Sequence, residues 1–222
     1  MATANPDSIL TALASDPTIG GLVDTSLPAP SPFRGSGPIR LIILGQDPTV
    51  KNEQSRKRVA TVLNLDRPGS LRNYISQICN ALGLTLEANI YATNYVNAFF
   101  TVPPASLKEP DILGVAARHC LHHLIDELRQ FPSAPVLALG EPLLRHIALG
   151  TAPQRVREYW GFSPNWRSGD TRPFALLPVQ HNSLQRTVFP FPHQPSVNKA
   201  FYSKRLSQYL AFMKLQCFNE AA

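Results

Sequence analysis

Two polar side chains follow directly on a continuous apolar run in Leu41-Ile42-Ile43-Leu44-Gly45-Gln46-Asp47-Pro48-Thr49: an amide at Gln46 and a carboxylate at Asp47. Such a run reads as a parallel strand buried on both faces, and ligands of open parallel sheets sit beyond the carboxyl ends of the strands. Gln46 and Asp47 therefore stand where chemistry is placed, although an Asp-Pro pair also starts turns and caps helices. A second run, Asn89 to Thr93, closes on Asn94, whose amide carries both a donor and an acceptor. A third, Pro135 to Leu139, closes on Gly140, and a fourth, Phe174 to Gln180, reaches His181. Parallel pairing of these runs brings a carboxylate, two amides and an imidazole to one sheet edge from distant parts of the chain.

Helices must connect these runs. Ser70 reads as the N-cap of a helix over Leu71 to Ile78 that ends near Gly83, and the apolar spacing from Asp111 to Gln130 predicts a long amphipathic helix. Pro142 suits the first turn of another helix, and Asn198 to Phe212 carries the periodicity of a closing one. Strands alternating with helices give an α/β class, a three-layer α/β/α arrangement around a short central parallel sheet of about four strands. This domain covers residues 39–222. Residues 1–38 form a Pro/Ser/Ala-rich extension, with one apolar patch at Ile9, Leu10 and Leu13 and a linker or surface strap over Pro28 to Pro32.

The formal charge of +6 over 222 residues permits a polyanionic partner without demonstrating one. Lys51, Arg56, Lys57 and Arg58 form a basic segment leaving the Asp47 loop. Cys79, Cys120 and Cys217 are widely spaced and offer no Cys-x-x-Cys pair. His119 and His123 have the i, i+4 spacing of two metal ligands but no acidic neighbour in sequence, so a metal is not expected there. No apolar stretch is long enough to span a bilayer and no basic-then-apolar leader opens the chain, so the expectation is a soluble intracellular protein, cytoplasmic or, in a eukaryote, nuclear. The absence of a Gly-x-x-x-x-Gly-Lys loop argues against triphosphate chemistry.

Taken together the motifs resemble the uracil-DNA glycosylase superfamily. Gly45-Gln46-Asp47-Pro48-Thr49-Val50 looks like that family's Gly-Gln-Asp-Pro-Tyr-His, and Pro68-Gly69-Ser70-Leu71-Arg72-Asn73 like its Pro-Pro-Ser-Leu-Lys-Asn. Asn94, after an apolar triplet, matches the base-reading asparagine. His193-Gln194-Pro195-Ser196-Val197-Asn198 is similar to its His-Pro-Ser-Pro-Leu-Ser, or to the His-Pro-Ser-x-x-Asn of related branches. The four pieces occur in the family's order between about Ile39 and Leu210.

The resemblance implies a monofunctional glycosylase working on DNA as a monomer, without a metal or redox cofactor. Breaking a deoxyribose–base bond builds positive charge on the sugar and negative charge on the departing base, so a fixed carboxylate and a fixed donor are needed on opposite sides. By resemblance, Asp47 positions water and stabilises the cation, and His193 donates to the base's O2 as a neutral imidazole. Asn94 reads a pyrimidine edge and the backbone near Gln46 holds the flipped base. Ser70, Ser196, Lys51 and Arg56 are the phosphate-side candidates, and Val197 takes the place of the residue that wedges into the vacated stack.

The chain departs from the family in three places. Thr49 stands where a tyrosine fences off the thymine methyl and is too short to fill that volume. Leu63 aligns with the stacking phenylalanine, removing an aromatic platform worth roughly 1–3 kcal/mol unless Phe99 or Phe100 supplies one. His181 competes with His193 for the histidine role. Thr49 and Leu63 keep open a second reading, a damaged-nucleic-acid binding protein without turnover, and a hydrolase of small nucleotides is a third.

Overall fold

The computed structural model describes residues 6–107 and 109–218. Among these residues the core is one sheet of five strands, β1 (Phe33–Arg34), β2 (Leu41–Gly45), β3 (Ile90–Asn94), β4 (Val136–Leu139) and β5 (Val188–Phe191), in the order β1-β3-β2-β4-β5. The last four are parallel, and β1 adds an antiparallel edge against β3. Every residue of β2, β3, β4 and β5 is buried, as expected for strands covered on both faces.

The first three apolar runs are strands, but the fourth expected strand is not. Phe174 to Gln180 meets the sheet only at an isolated antiparallel bridge between Leu177 and Val188, and Val179–His181 is a 3-10 turn. The strand beside β4 is β5, which tolerates Pro190 because it lies toward the sheet edge. The Val188 N–H and C=O turn away from β4 to bond Leu177, and alternation turns Pro190 the same way. The Pro190 carbonyl accepts from Trp160 Nε1 at 2.9 Å.

Among the described residues there are eight α-helices, α1 (Pro6–Ala14), α2 (Glu53–Arg56), α3 (Ser70–Leu82), α4 (Leu86–Asn89), α5 (Ile112–Leu128), α6 (Glu141–Ile147), α7 (Val156–Tyr159) and α8 (Ala200–Cys217). α3 and α8 pack together in one layer and α1 against α5 in the other, giving a three-layer α/β/α fold. In α3 the buried residues Tyr74, Ile75, Ile78, Cys79 and Leu82 recur at helical spacing. The helix stops at Gly83, whose φ of 74° lies in the left-handed region that glycine adopts without a Cβ penalty. Gly69, not Ser70, occupies the N-cap position, so Ser70 is the first helical residue and makes no capping bond. α5 begins where expected, with Asp111 accepting from the Gly114 N–H at 3.1 Å.

Residues before 39 pack into the same body. Leu13, Ile19 and Val23 are buried, Asp16 bonds His119 Nε2 at 2.8 Å, and the Pro30 carbonyl accepts from Asn97 Nδ2 at 2.8 Å. The carboxylate that His119 lacks in sequence is thus supplied by tertiary structure. Among the described residues no group of three His, Cys, Asp or Glu side chains gathers as metal ligands, and no helix is long and apolar enough to cross a membrane.

The chain leaves β2 toward β3 on one side, then crosses back past β2 to reach β4 on the other. The carboxyl edge between β2 and β4 is therefore a topological switch point, where open α/β sheets form their ligand crevice.

Candidate active site

Register places Gly45 at the end of β2 opposite Asn94 at the end of β3, and the pairing runs on into the loops. The Tyr95 N–H donates to the Gly45 carbonyl at 2.8 Å and the Val96 N–H to the Gln46 carbonyl at 3.0 Å. Asn94 is 3 % exposed and lies across Gly45. A Cβ on Gly45 would overlap the Asn94 Oδ1 and come within 3.0 Å of Leu63 Cδ2, so the glycine permits this close approach.

The amide orientation of Asn94 follows from its neighbours. Asn97 gives its Nδ2 to the Pro30 carbonyl, so its Oδ1 can only accept, and Asn94 Nδ2 donates to it at 3.2 Å. The Asn94 Oδ1 is left buried with no partner. An orphaned buried acceptor costs about 1–3 kcal/mol, a cost that a ligand donor would remove. Beside it, Leu63 and Asn64 both have left-handed backbone, with φ of 57° and 50°. Asparagine tolerates that region; a leucine there carries strain of order 1–3 kcal/mol.

Asp47 begins the loop after β2. Gln46 Nε2 donates to its Oδ2 at 2.6 Å and the Thr49 N–H to its Oδ1 at 2.8 Å, the second being the side-chain turn that an Asp-Pro sequence favours. The cap of α2 is Asn52, so Asp47 is not used as a helix cap. Burial pushes the Asp47 carboxyl above its ordinary value, with the bonds from Thr49 and Gln46 working against that rise. The Thr49 hydroxyl also accepts from the Phe100 N–H at 2.9 Å, tying the loop to the buried Phe99-Phe100 pair. Thr49 thus braces Asp47.

β5 runs through Pro192 to His193. The Tyr74 hydroxyl of α3 donates to the Pro192 carbonyl at 3.1 Å, and the Ser196 N–H donates to the His193 carbonyl at 2.6 Å. A Cβ on Gly140 would stand 3.5 Å from His193 Cβ, which places His193 beside the end of β4. Its imidazole is exposed, yet surrounding protein lowers its pKa, with a backbone bond at Gln194 opposing. His181 lies elsewhere: its carbonyl accepts from the Leu149 N–H at 2.8 Å, past the C-terminus of α6 and on the side where β5 begins. Of the two histidines, only His193 follows the carboxyl end of a sheet strand.

Across the edge the order is Asn94, Gly45 with Asp47, Gly140, then His193. Two strand spacings separate β2 from β5, about 10 Å, which leaves room for a planar ring between the loops carrying Asp47 and His193. The loops carrying a carboxylate and an imidazole bound this space, and the unpaired Asn94 amide oxygen lies on the other side of β2, over Gly45.

Of the phosphate-side candidates, Ser70 and Lys51 are exposed and Ser196 is half-buried. Two others need correction. Arg56 is 7 % exposed and donates through Nη1 to the Thr101 carbonyl at 2.8 Å, so its guanidinium braces the loop from inside. Val197 is 6 % exposed and packs in the apolar core, so in this conformation it presents no wedge to a base stack. Sequence reasoning placed Gly140 at this edge but missed Asn97 and Tyr74 as supports; the Asn94-x-x-Asn97 spacing was the only local signal for them. Comparisons of the chain with protein-family models and with curated proteins found no match.

Proposed function

We propose that the chain is a monofunctional DNA N-glycosylase that hydrolyses the glycosidic bond of a flipped uracil or other altered base. What supports this reading is that Asp47, Asn94 and His193 all stand at the carboxyl ends of strands of one sheet, with the Asn94 Oδ1 buried and unpaired. Asp47 opposes the positive charge that develops on the sugar and orients the attacking water. His193 donates to the departing base, and its lowered pKa favours the neutral imidazole, which still has one N–H to give. Asn94 accepts a base N–H through Oδ1, and Leu63 provides an apolar surface in place of an aromatic one. Lys51, Ser70 and Ser196 are the handles on phosphate.

The test is release of free base from single- and double-stranded DNA carrying uracil, hypoxanthine or mismatched thymine, alongside Asp47→Asn. Base release that depends on Asp47 supports the reading; no release from any of these would end it. The internal placement of Arg56 and Val197 favours a second reading, a protein that binds damaged nucleic acid without turnover. Salt-dependent DNA affinity, insensitive to Asp47→Asn and without base release, selects that alternative.

A further inference from the structure

The helix that follows the His193 loop carries a second feature of the surface. Between α8 and the 3-10 turn Trp166–Ser168 lies an open groove of about 360 Å³, lined by Trp166, Arg167, Thr171, Lys204, Arg205 and Gln208. The Arg167 guanidinium and the Lys204 ammonium lie over the indole ring of Trp166, 5.2 and 5.9 Å from its centroid. Arg205 is held over Phe174 at 4.5 Å while its Nε donates to the Trp160 carbonyl at 2.7 Å. Among the described residues none of these three cations has a carboxylate within ion-pairing distance.

Three positive charges gathered without an ion-pair partner repel one another, the carboxylate of Asp170 in the same loop being bonded to Ser163, and an anion entering the groove offsets that repulsion. The half-buried indole adds a flat face, and long, exposed cationic side chains that lie over it can swing out to phosphates as a planar base takes their place, which suits a ligand that is both planar and anionic. Helical rise puts Lys204 about 6 Å and Gln208 about 12 Å beyond the start of α8, so the groove begins roughly one turn along the helix that leaves the His193 loop.

We propose that this groove binds single-stranded DNA flanking the excised base, with phosphates against Arg167, Lys204 and Arg205 and one unpaired base stacked on Trp166. The proposal rests on the glycosylase reading for the identity of the strand. Gln208 contributes an amide donor and acceptor at the far end of the groove.

The chain has two tryptophans. Trp160 is fully buried against Tyr209, so fluorescence quenching by an added strand reports on Trp166. Titration of the full chain with undamaged single-stranded oligodeoxyadenylate is expected to quench that emission saturably. The doubly substituted chain R167Q/K204Q, altered only at exposed side chains, is expected to bind more weakly and to lose about 1.4 from the log–log salt slope, roughly 0.7 for each lost phosphate contact. An unchanged affinity and slope in R167Q/K204Q overturns the proposal, as does equal quenching by polyglutamate, which carries charge without bases. Base release by the unsubstituted chain is measured separately. Release without quenching removes the groove alone, and quenching without release removes the glycosylase reading alone.

Discussion

Asn94 gives its amide N–H to the Oδ1 of Asn97 at 3.2 Å and keeps its own Oδ1 buried and unpaired. Asn97 therefore fixes which end of the Asn94 amide stays unpaired, and on the proposed reading that end is the one offered to a base. Asn97→Ala removes the acceptor, lets the Asn94 amide turn over, and orphans the Pro30 carbonyl as well. The expected result is a stability loss of about 1–3 kcal/mol in denaturant unfolding. Discrimination between bases is expected to fall further than affinity for undamaged DNA. Asn94→Asp is expected to shift base choice likewise while leaving undamaged-DNA affinity nearly intact, since phosphate contacts carry most of that affinity. Equal losses on every base and on undamaged DNA would remove Asn94 from the reading role.

Asp47 combines a raised pKa with bonds from Gln46 and Thr49. In the window between the unfolded aspartate value and the raised folded one, the native state holds a proton that the unfolded state releases. Stability therefore falls as pH rises through that window, and the deficit persists above it. Asp47→Asn is expected to abolish that dependence and to be at least as stable as the parent at neutral pH, measured by thermal melts across pH. In the same variant base release is expected to fall on the order of 10²–10³-fold, the cost of losing one fixed electrostatic partner of a transition state. A variant that is both less stable at neutral pH and fully active would contradict both roles.

How far the site could be read in advance depends on what each residue's position rests on. Gln46 and Asp47 follow, and Asn94 ends, strands whose sequence is mostly apolar, a local pattern that survives folding because those strands are buried on both faces. β5 was hidden because Val188-Phe189-Pro190-Phe191 carries a proline, while Phe174 to Gln180 offers a longer apolar run that packs outside the sheet. His193 could be named only through resemblance, and its position follows from the strand that the local pattern missed. Arg56 and Val197 are turned inward by tertiary contacts with Thr101 and the apolar core, which no property of their own segment announces. Residues 1–38 read as an extension because prolines obscure periodicity, yet Leu13, Ile19 and Val23 lie in the core.

The inward turn of Arg56 separates two basic residues that sequence alone treats alike. Arg56→Ala is expected to cost about 1.5–3 kcal/mol of stability through the lost bond to the Thr101 carbonyl, and to leave the salt dependence of DNA binding unchanged. Lys51 is exposed, and Lys51→Ala is expected to do the reverse, reducing the duplex-DNA salt slope by about 0.9 with no measurable change in unfolding. Chemical denaturation and DNA titrations at several salt concentrations distinguish the two. A salt slope altered by Arg56→Ala would mean that the guanidinium leaves its internal bond to reach phosphate.

Thr49 is the point where the motif resemblance breaks, and its hydroxyl holds a place in the loop that the substituted tyrosine's role does not explain. The hydroxyl accepts from the Phe100 N–H, and Thr49 hydrogen bonds, from hydroxyl and backbone N–H together, counter the rise in the Asp47 pKa. Thr49→Val keeps the shape and removes only the hydroxyl, so the Phe100 N–H loses its partner, for about 1–3 kcal/mol of stability. Loss of the hydroxyl bond also removes one influence holding the Asp47 pKa down, so that pKa rises further. If base release needs ionised Asp47, its acid limb moves to higher pH in Thr49→Val, while the rate well above that limb changes far less than in Asp47→Asn. A pH–rate profile for the two chains checks this. An acid limb that stays in place would show that ionisation of Asp47 does not govern the reaction.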